Sequence, residues 1–529
     1  MENSLFARSR KMFAFWGGSA MVTAGVALHM PMFWMGRKMG FRLSGMPMDK
    51  GMLAGMGLII LGVLAAAYGL MPRRQPGRVS YGKIVPPEDA PLTAAHWLQI
   101  SVLTVALIVD VMKAATLGFV TPGIRAEYGL SFAAVALLPL SGLIGTTVGS
   151  FIWGALADIY GRRASLLLAA VLFVGTSICG AMPSFSWNIV MCFMMGLAAG
   201  GMLPVANALL AEIMPTKHRG WCLVLIGGIG TIGGYFATSA LSALLQPFFG
   251  WRVMWLIGCP TGLMLIALSP LLPESARFLL EMGRVDEARA TLARYGSKLA
   301  AGQDLAGAPH ATNHNSDASQ PLARTNPRPR LGLSVALTLA ALAWGFVNFG
   351  VLLWLPASLI AEGRSVGIAS ALIAQSSLIA VPTVAVATYL YSLWSTKRVL
   401  ILAIGVTTLG LLAAFLRHSS ALPLLSNPLL PVSLLIVGAS GVISILMPYA
   451  AESFPLRQRG RATGWVAGCS KIGGVFAQAL AASALAPAFG LSAGAIAIPT
   501  IASLLLIAVF GHETRGRDLR ELEAEAAAA

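Results

Sequence analysis

Apolar residues run through this chain in long blocks, not in the alternating or striped patterns of a soluble fold. No Asp, Glu, Lys or Arg occurs in the 48 residues between Arg163 and Glu212, and only a Met-Pro-Ser-Phe-Ser stretch at 182–186 interrupts them. That pattern predicts two helices joined by a short loop. Comparable gaps run from Glu127 to Asp158, Gly220 to Trp251, Leu331 to Ala361, Ser365 to Thr396 and His418 to Ala451. Together they predict twelve spans, at 96–120, 131–153, 165–182, 186–211, 220–246, 252–272, 331–360, 367–391, 399–416, 428–451, 461–488 and 490–511. Only helices satisfy their own backbone in lipid over such continuous runs, and barrel strands are shorter and alternate. Two earlier charge-free stretches, 12–36 and 51–72, are also long enough to cross a bilayer. The fold class expected is therefore all-α integral membrane, with twelve core spans and a two-helix N-terminal extension.

Composition agrees. Of 529 residues, 57% are hydrophobic and 11% charged, less than half the share of about 25% in a soluble domain. The net charge of +16 fits either a nucleic-acid partner or a membrane surface, and the positions of the charges decide between them. Alternate loops carry Arg162/Arg163, Lys217/Arg219, Lys397/Arg398, Arg457/Arg459/Arg461 and Arg515/Arg517/Arg520, whereas the opposite loops hold only Arg125, Arg252, Arg364 and Arg417. This is the bias of a multi-pass protein with the basic loops inside. The core termini are placed in the cytoplasm, the membrane is read as the plasma (bacterial inner) membrane, and nucleic acid is excluded.

Residues 273–330 divide the spans six and six. Their first part, to about Lys298, is helical in pattern and mixed in charge; the rest has a linker composition. The chain is thus read as an extension (1–90), an N-terminal half (91–272), a cytoplasmic central loop (273–330), a C-terminal half (331–511) and a cytoplasmic tail (512–529). Five cysteines lie in apolar stretches without metal or disulfide spacing. His310 and His314 stand four apart in the linker without further ligands, so no metal and no cofactor is expected.

The halves are related. Ala211–Gly234 set over Ala451–Gly474 at a constant offset agrees at nine of 24 positions, among them Glu212/Glu452, Pro215/Pro455, Arg219/Arg459 and the glycine pairs 233–234/473–474. Each copy bridges the fourth and fifth spans of its half. Two six-helix halves in a pseudo-two-fold arrangement, related by an axis along the membrane normal, form a transporter design.

At these residues the chain resembles a known family. The segment Gly154–Arg163 (GALADIYGRR) is similar to the loop between spans two and three of the major facilitator superfamily. Pro273-Glu274-Ser275-Ala276-Arg277-Phe278-Leu279, the repeated Ala-Glu-x-x-Pro-x-x-x-Arg-Gly, and His512-Glu513-Thr514-Arg515-Gly516 resemble motifs of its sugar-porter and organic-ion (metabolite:proton symporter) branches, with His512 in place of a proline. The resemblance covers about 96–521. The seventh span lacks the paired glutamines of hexose carriers, and the fifth lacks both their Gln-Leu signature and the Gly-Pro of drug antiporters. Ser392 stands where the second half would repeat Asp158.

Charges at membrane depth are costly and usually functional. Asp110 lies well inside the first core span, with Lys113 on the same face. One reading makes this a proton-coupling site, the other a self-neutralising structural pair. Lys471, midway along the eleventh span, either meets an anionic solute or Asp110, or snorkels to the interface. Asn207, Trp344, Asn348, Gln375 and Gln478, with Trp354 or Trp465, are candidate cavity-lining groups; for each the alternative is a helix-packing contact. Asp158, Arg162, Arg163, Glu212, Arg219, Glu274, Arg277, Glu452 and Arg459 form mixed-sign clusters at helix ends suited to a cytoplasmic gate, the alternative being topology anchors.

The extension carries twelve of the 23 methionines, with Met30, Met32, Met35 and Met39 beside His29. Thioethers can bind copper(I), but packing and lipid contact also explain them. Its loop holds Arg37, Lys38, Arg42 and Lys50 against one acid, Asp49. Either insertion of the core overrides the charge bias, or 12–36 lies partly in the interface. No phosphate-binding GxxxxGK[ST] loop occurs, so ATP drive is not expected. The leading expectation is a monomeric secondary transporter, not an enzyme, taking up a small organic solute (metabolite, carboxylate or sugar-like) with protons by alternating access. The alternatives are a proton-driven exporter of drugs or metabolites, or a membrane sensor on the same fold.

Overall fold

The computed structural model describes residues 2–72, 84–85, 91–299, 331–419, 427–454, 456–486 and 488–514. Where they are described, the charge-free blocks are mainly helical. The extension forms α1 (Glu2–Ala27), α2 (Met30–Met35) and α3 (Lys50–Leu70). The first half contains α4 (Ala94–Tyr128), α5 (Phe132–Tyr160), α6 (Arg162–Thr176), α7 (Phe185–Ala199), α8 (Met202–Ile213), α9 (Thr216–Phe249), α10 (Val253–Leu256) and α11 (Gly258–Ala267). Two short helices, α12 (Ala276–Glu281) and α13 (Val285–Arg294), follow. The second half contains α14 (Leu331–Phe346), a turn of π-helix (Val347–Leu352), α15 (Leu355–Ala361), α16 (Val366–Leu393), α17 (Thr396–Ser419), α18 (Leu429–Ser453), α19 (Leu456–Ala482) and α20 (Phe489–Phe510). A two-residue antiparallel pairing of Ile84–Val85 with Lys298–Leu299 is the only strand pair among the described residues.

Thirteen of these segments are long and apolar enough to cross a membrane. The eleventh core span, α19, is helical along 27 residues but carries more polar positions. The helix ends follow local chemistry. Ser131, Ser184, Ser275 and Ser365 each accept a backbone N–H of the first turn that follows them, filling donors that a helix start leaves free. The gap expected at 182–186 is the Met182–Ser184 turn between the third and fourth spans. The two apolar stretches of the extension pack as an antiparallel hairpin. A Cβ on Gly25 would come 2.6 Å from the Gly55 carbonyl, and one on Gly55 would come 2.7 Å from the Gly25 carbonyl. Glycine at both positions lets the helices approach to backbone contact.

The end of the first half remote from Arg162 is organised by a buried ion pair. Arg252 and Glu127 are 0% and 4% exposed at their side chains and 2.7 Å apart. Arg252 also donates to the carbonyl of Met182 and to Tyr128 Oη, and its guanidinium lies 4.4 Å from the Trp251 ring centre. Glu127 Oε1 accepts the backbone N–H groups of Leu43 and Ser44, at 2.8 and 2.9 Å, and Oε2 accepts Trp251 Nε1. The extension loop is therefore fastened to the core, on the side that the basic loops avoid. Both apolar stretches of the extension are helical and long enough to cross a bilayer.

Removing one partner of such a pair leaves a charge in an apolar site, which costs about 3–5 kcal/mol, while removing both costs much less. Arg252→Met should lower the unfolding temperature of the purified protein sharply, and Glu127→Gln/Arg252→Met should recover most of the loss. Equal losses in the single and double variants would contradict the account.

Candidate functional site

Asp110 on α4 is 9% exposed, and its Oδ1 has no hydrogen-bond partner among the described residues. The opposite charge that acts on it is Lys471, from α19 of the other half. The helical spacing of Asp110 and Lys113 suggested a pair, but the two residues form none. Lys113 is 2% exposed and turns away into its own half. Its Nζ donates to the Phe173 carbonyl at 3.2 Å and lies 5.7 Å from that ring's centre, near Cys179, Cys192 and Cys259. A shared helix face sets the direction of a side chain's root, and the neighbouring helix decides where a long side chain ends.

Around this depth the halves meet through polar contacts. Tyr235 on α9 donates to Asn348 Oδ1 at 2.9 Å, and Asn348 sits in the π-helical turn. Ser242 and Ser370 hydroxyls are 2.8 Å apart across the α9–α16 interface, with Gln246 donating to Ser242 and to the Phe119 carbonyl. Gln478, one helix turn and three residues beyond Lys471, donates to the Phe349 carbonyl, and its Oε1 is buried without a partner among the described residues. Trp344 Nε1 donates to the Ala439 carbonyl at 2.8 Å. Asn207 is half-buried on α8, its Oδ1 unpartnered among the described residues. Gln375 stands apart, exposed on the stripe of α16 that carries Ile368 and Ile379. Trp465 is 60% exposed and donates to Thr338. Tyr235, Ser242, Ser370 and Gln246 were missed in the sequence. For the three on α9 the signal was a row of hydroxyl and amide residues at 231, 235, 238, 242 and 246 along one otherwise apolar span.

Towards the Trp354 end the halves are in close contact. A Cβ on Gly118 would strike the Leu353 carbonyl, and the Phe132 and Trp354 rings lie 4.4 Å apart. At the opposite end the mixed-sign residues form two networks, one within each half. Glu274 Oε1 accepts the Arg162 and Arg163 backbone N–H groups at 2.7 and 3.2 Å. Ser275 Oγ donates to Glu212, while Arg162 lies 3.4 Å from Glu212 and 3.3 Å from Asp158. In the second half Glu513 accepts the Thr396 N–H and hydroxyl and the Ser395 hydroxyl. Thr514 Oγ1 and Tyr391 Oη both donate to Glu452 Oε2 at 2.8 Å. The two arrangements correspond: a carboxylate caps the third helix, and the next residue's hydroxyl ties down the repeated glutamate. Arg277 is outside this cluster, paired with Glu281 in solvent at 3.2 Å. Gly220 at the start of α9 faces Glu452 across the halves. The side chain of Arg459, the residues 455 and 515–529, and His310 and His314 lie outside the described residues. No group of three or more His, Cys, Asp or Glu able to hold a metal occurs among the described residues.

Comparison with known proteins fits this architecture. The family model described as Major Facilitator Superfamily matches residues 102–477. The chain belongs to that superfamily. It is 28% identical over 440 residues to the gallate transporter of Pseudomonas putida, an alignment covering 80% of this chain and 94% of that protein. It is 24% identical over 446 residues to the niacin transporter NiaP of Acinetobacter baylyi, covering 82% and 98%. Among solved structures, the proton:xylose symporter XylE bound to 6-bromo-6-deoxy-D-glucose superposes with a TM-score of 0.64 at 20% identity, covering 82% of this chain and 99% of that one. An inward open conformation of XylE from E. coli gives 0.63 at 19% identity, covering 81% and 99%. The protein is a secondary membrane transporter of small organic solutes and not an enzyme.

Glu274 lies outside the spans, and its burial is the largest influence on it. Burial holds its carboxyl above the ordinary carboxylate value, against the lowering effect of the Ser275, Arg163 and Arg162 amides. A carboxyl raised on folding contributes stability that is complete below the unfolded value and lost as pH rises through the folded one. The unfolding temperature of wild type should therefore fall over that window, and Glu274→Gln should flatten that part of the profile. Superimposable profiles for the two proteins would refute the assignment.

Proposed function

We propose that this transporter takes up an organic carboxylate together with a proton across the bacterial inner membrane, working as a monomer in the bilayer. The supporting observation is that Asp110 of one half, with its Oδ1 unpartnered among the described residues, lies within the electrostatic reach of Lys471 of the other. A carboxylate seated on Lys471 withdraws the positive charge that stabilises ionised Asp110, and the buried carboxyl then holds a proton. Solute and proton thus enter the same occluded state, and neither charge crosses the apolar interior uncompensated. Gallate and niacin, named for two relatives, are both aromatic carboxylic acids, which favours this solute class over sugars.

Asn348, Gln478, Asn207 and Trp344 would orient the solute among apolar walls. The Trp354 end is read as the outer seal and the Arg162 end as the cytoplasmic side, following the basic bias of the loops. There Asp158, Arg162, Arg163, Glu212, Arg219, Glu274, Glu452 and Arg459 would rigidify the helix ends that separate and close as the halves rock. The divisions at 90, 272, 330 and 511 follow the same reading. Lys113 is given a packing role.

In proteoliposomes, Asp110→Asn should abolish pH-gradient-driven accumulation of an aromatic carboxylate while leaving solute exchange intact. Lys471→Gln should raise KM for the carboxylate about tenfold or more, the loss of one charge-assisted contact. Gradient-driven accumulation by Asp110→Asn, or efflux under the same gradient in wild type, would overturn the proposal.

A further inference from the structure

The hairpin ahead of the core lies outside the matched family segment, which begins at residue 102, and transport as proposed above gives it no task. Its loop is held rather than loose. Leu43 is fully buried, and the Leu43 and Ser44 amides are fixed on Glu127. The Gly45 N–H reaches the Pro183 carbonyl, and Phe41 packs between Phe33, 4.9 Å away, and Phe249 of the core, 5.7 Å away. On this fastened base Arg37, Lys38, Arg42 and Lys50 are all exposed. The carboxylates near them are engaged elsewhere: Asp49 caps the Met52 N–H at 2.7 Å, and Glu127 is buried in its pair with Arg252. Beside the four cations stand large apolar side chains turned outward, with Trp34 50%, Met35 52% and Met39 50% exposed. An exposed tryptophan and methionines next to arginine and lysine at the end of a spanning hairpin match the layered chemistry of a bilayer interface, apolar below and phosphate above. This arrangement also accounts for a basic loop on the side where such loops are rare, because phosphates there offset the charge.

We propose that the hairpin loop, through Arg37, Lys38, Arg42 and Lys50 with Trp34 and Met39 beneath them, binds the phosphate headgroups of anionic phospholipid in the leaflet at that end of the molecule. The surface docks the extension, and through Glu127 the first core helix, to that leaflet. Each basic residue near an anionic surface contributes about fivefold in affinity, so the four act as one site that zwitterionic lipid does not fill.

The test uses the full chain in zwitterionic nanodiscs containing a small fraction of phosphatidylglycerol with a photoreactive group beside its headgroup. Labelled peptides are mapped by mass spectrometry. Labelling should concentrate on the segment 34–50, resist competition by free inorganic phosphate, and fall about tenfold or more in R37Q/K38Q/R42Q/K50Q. Labelling of the basic loops at the opposite end should be unchanged in that variant, and so should its unfolding temperature in purely zwitterionic discs, since all four side chains are exposed. Equal labelling by a phosphatidylcholine analogue would overturn the proposal, as would undiminished labelling in the variant. Displacement by free phosphate would mark the loop as a site for soluble anions instead and equally overturn it.

Discussion

An ionised group in hydrocarbon must be matched by an opposite charge, by hydrogen bonds or by a function that tolerates the cost. This chain treats its deep charges in two ways. Arg252 and Glu127 are matched by each other, by Tyr128 and Trp251, and by backbone groups of two different loops, with only Arg252 Nε left without a partner among the described residues. They act as a fixed node that ties the extension, the first core helix and the sixth-span entry into one body. Asp110 and Lys471 are matched incompletely. They face each other electrostatically from opposite halves, and one carboxylate oxygen has no partner among the described residues. Dense pairing at one level gives rigidity, and sparse pairing at the other is what the proposed mechanism uses to take a proton and a solute.

The duplication that gave two halves also gave two copies of a terminal device. Glu274 with Ser275 and Glu212 repeats in Glu513 with Thr514 and Glu452. Each copy ties helix ends within its own half, while the halves pack closely along α9 and α16 and meet through polar contacts such as Tyr235–Asn348 and Ser242–Ser370. Halves braced separately at this end suit the rocking motion about a midplane site in the proposed mechanism. The second copy lacks the Asp158 acid, carrying Ser392, and recruits Tyr391 to the glutamate instead.

Much of this was legible from residue order alone. Spans, their grouping and the repeat are written in charge-free block lengths and in a constant offset, because lipid imposes a length and a composition on every helix that crosses it. The motif residues were also visible, since their sign pattern survives in one dimension. The direction of long side chains was not visible. Lys113 shares a face with Asp110 yet ends against Phe173, and Gln375 sits on an exposed stripe. Arg252 looked like a lone loop charge, and Glu127 only marked the edge of an apolar gap, until the fold brought them within 2.7 Å. Contacts between residues 124 or more positions apart leave no local trace, and Tyr235 could be found only as part of a polar row.

The central claim is that solute carboxylate and Asp110 compete for one positive charge, so that binding the first protonates the second. The most direct measurement is the proton count on binding. Purified protein in weakly buffered solution with a pH-indicator dye is mixed with an aromatic carboxylate at a pH where the free acid is fully ionised. The account predicts uptake of about one proton per solute bound, absent in Asp110→Asn even where that variant still binds. Solute binding without proton uptake in the wild-type protein would contradict it.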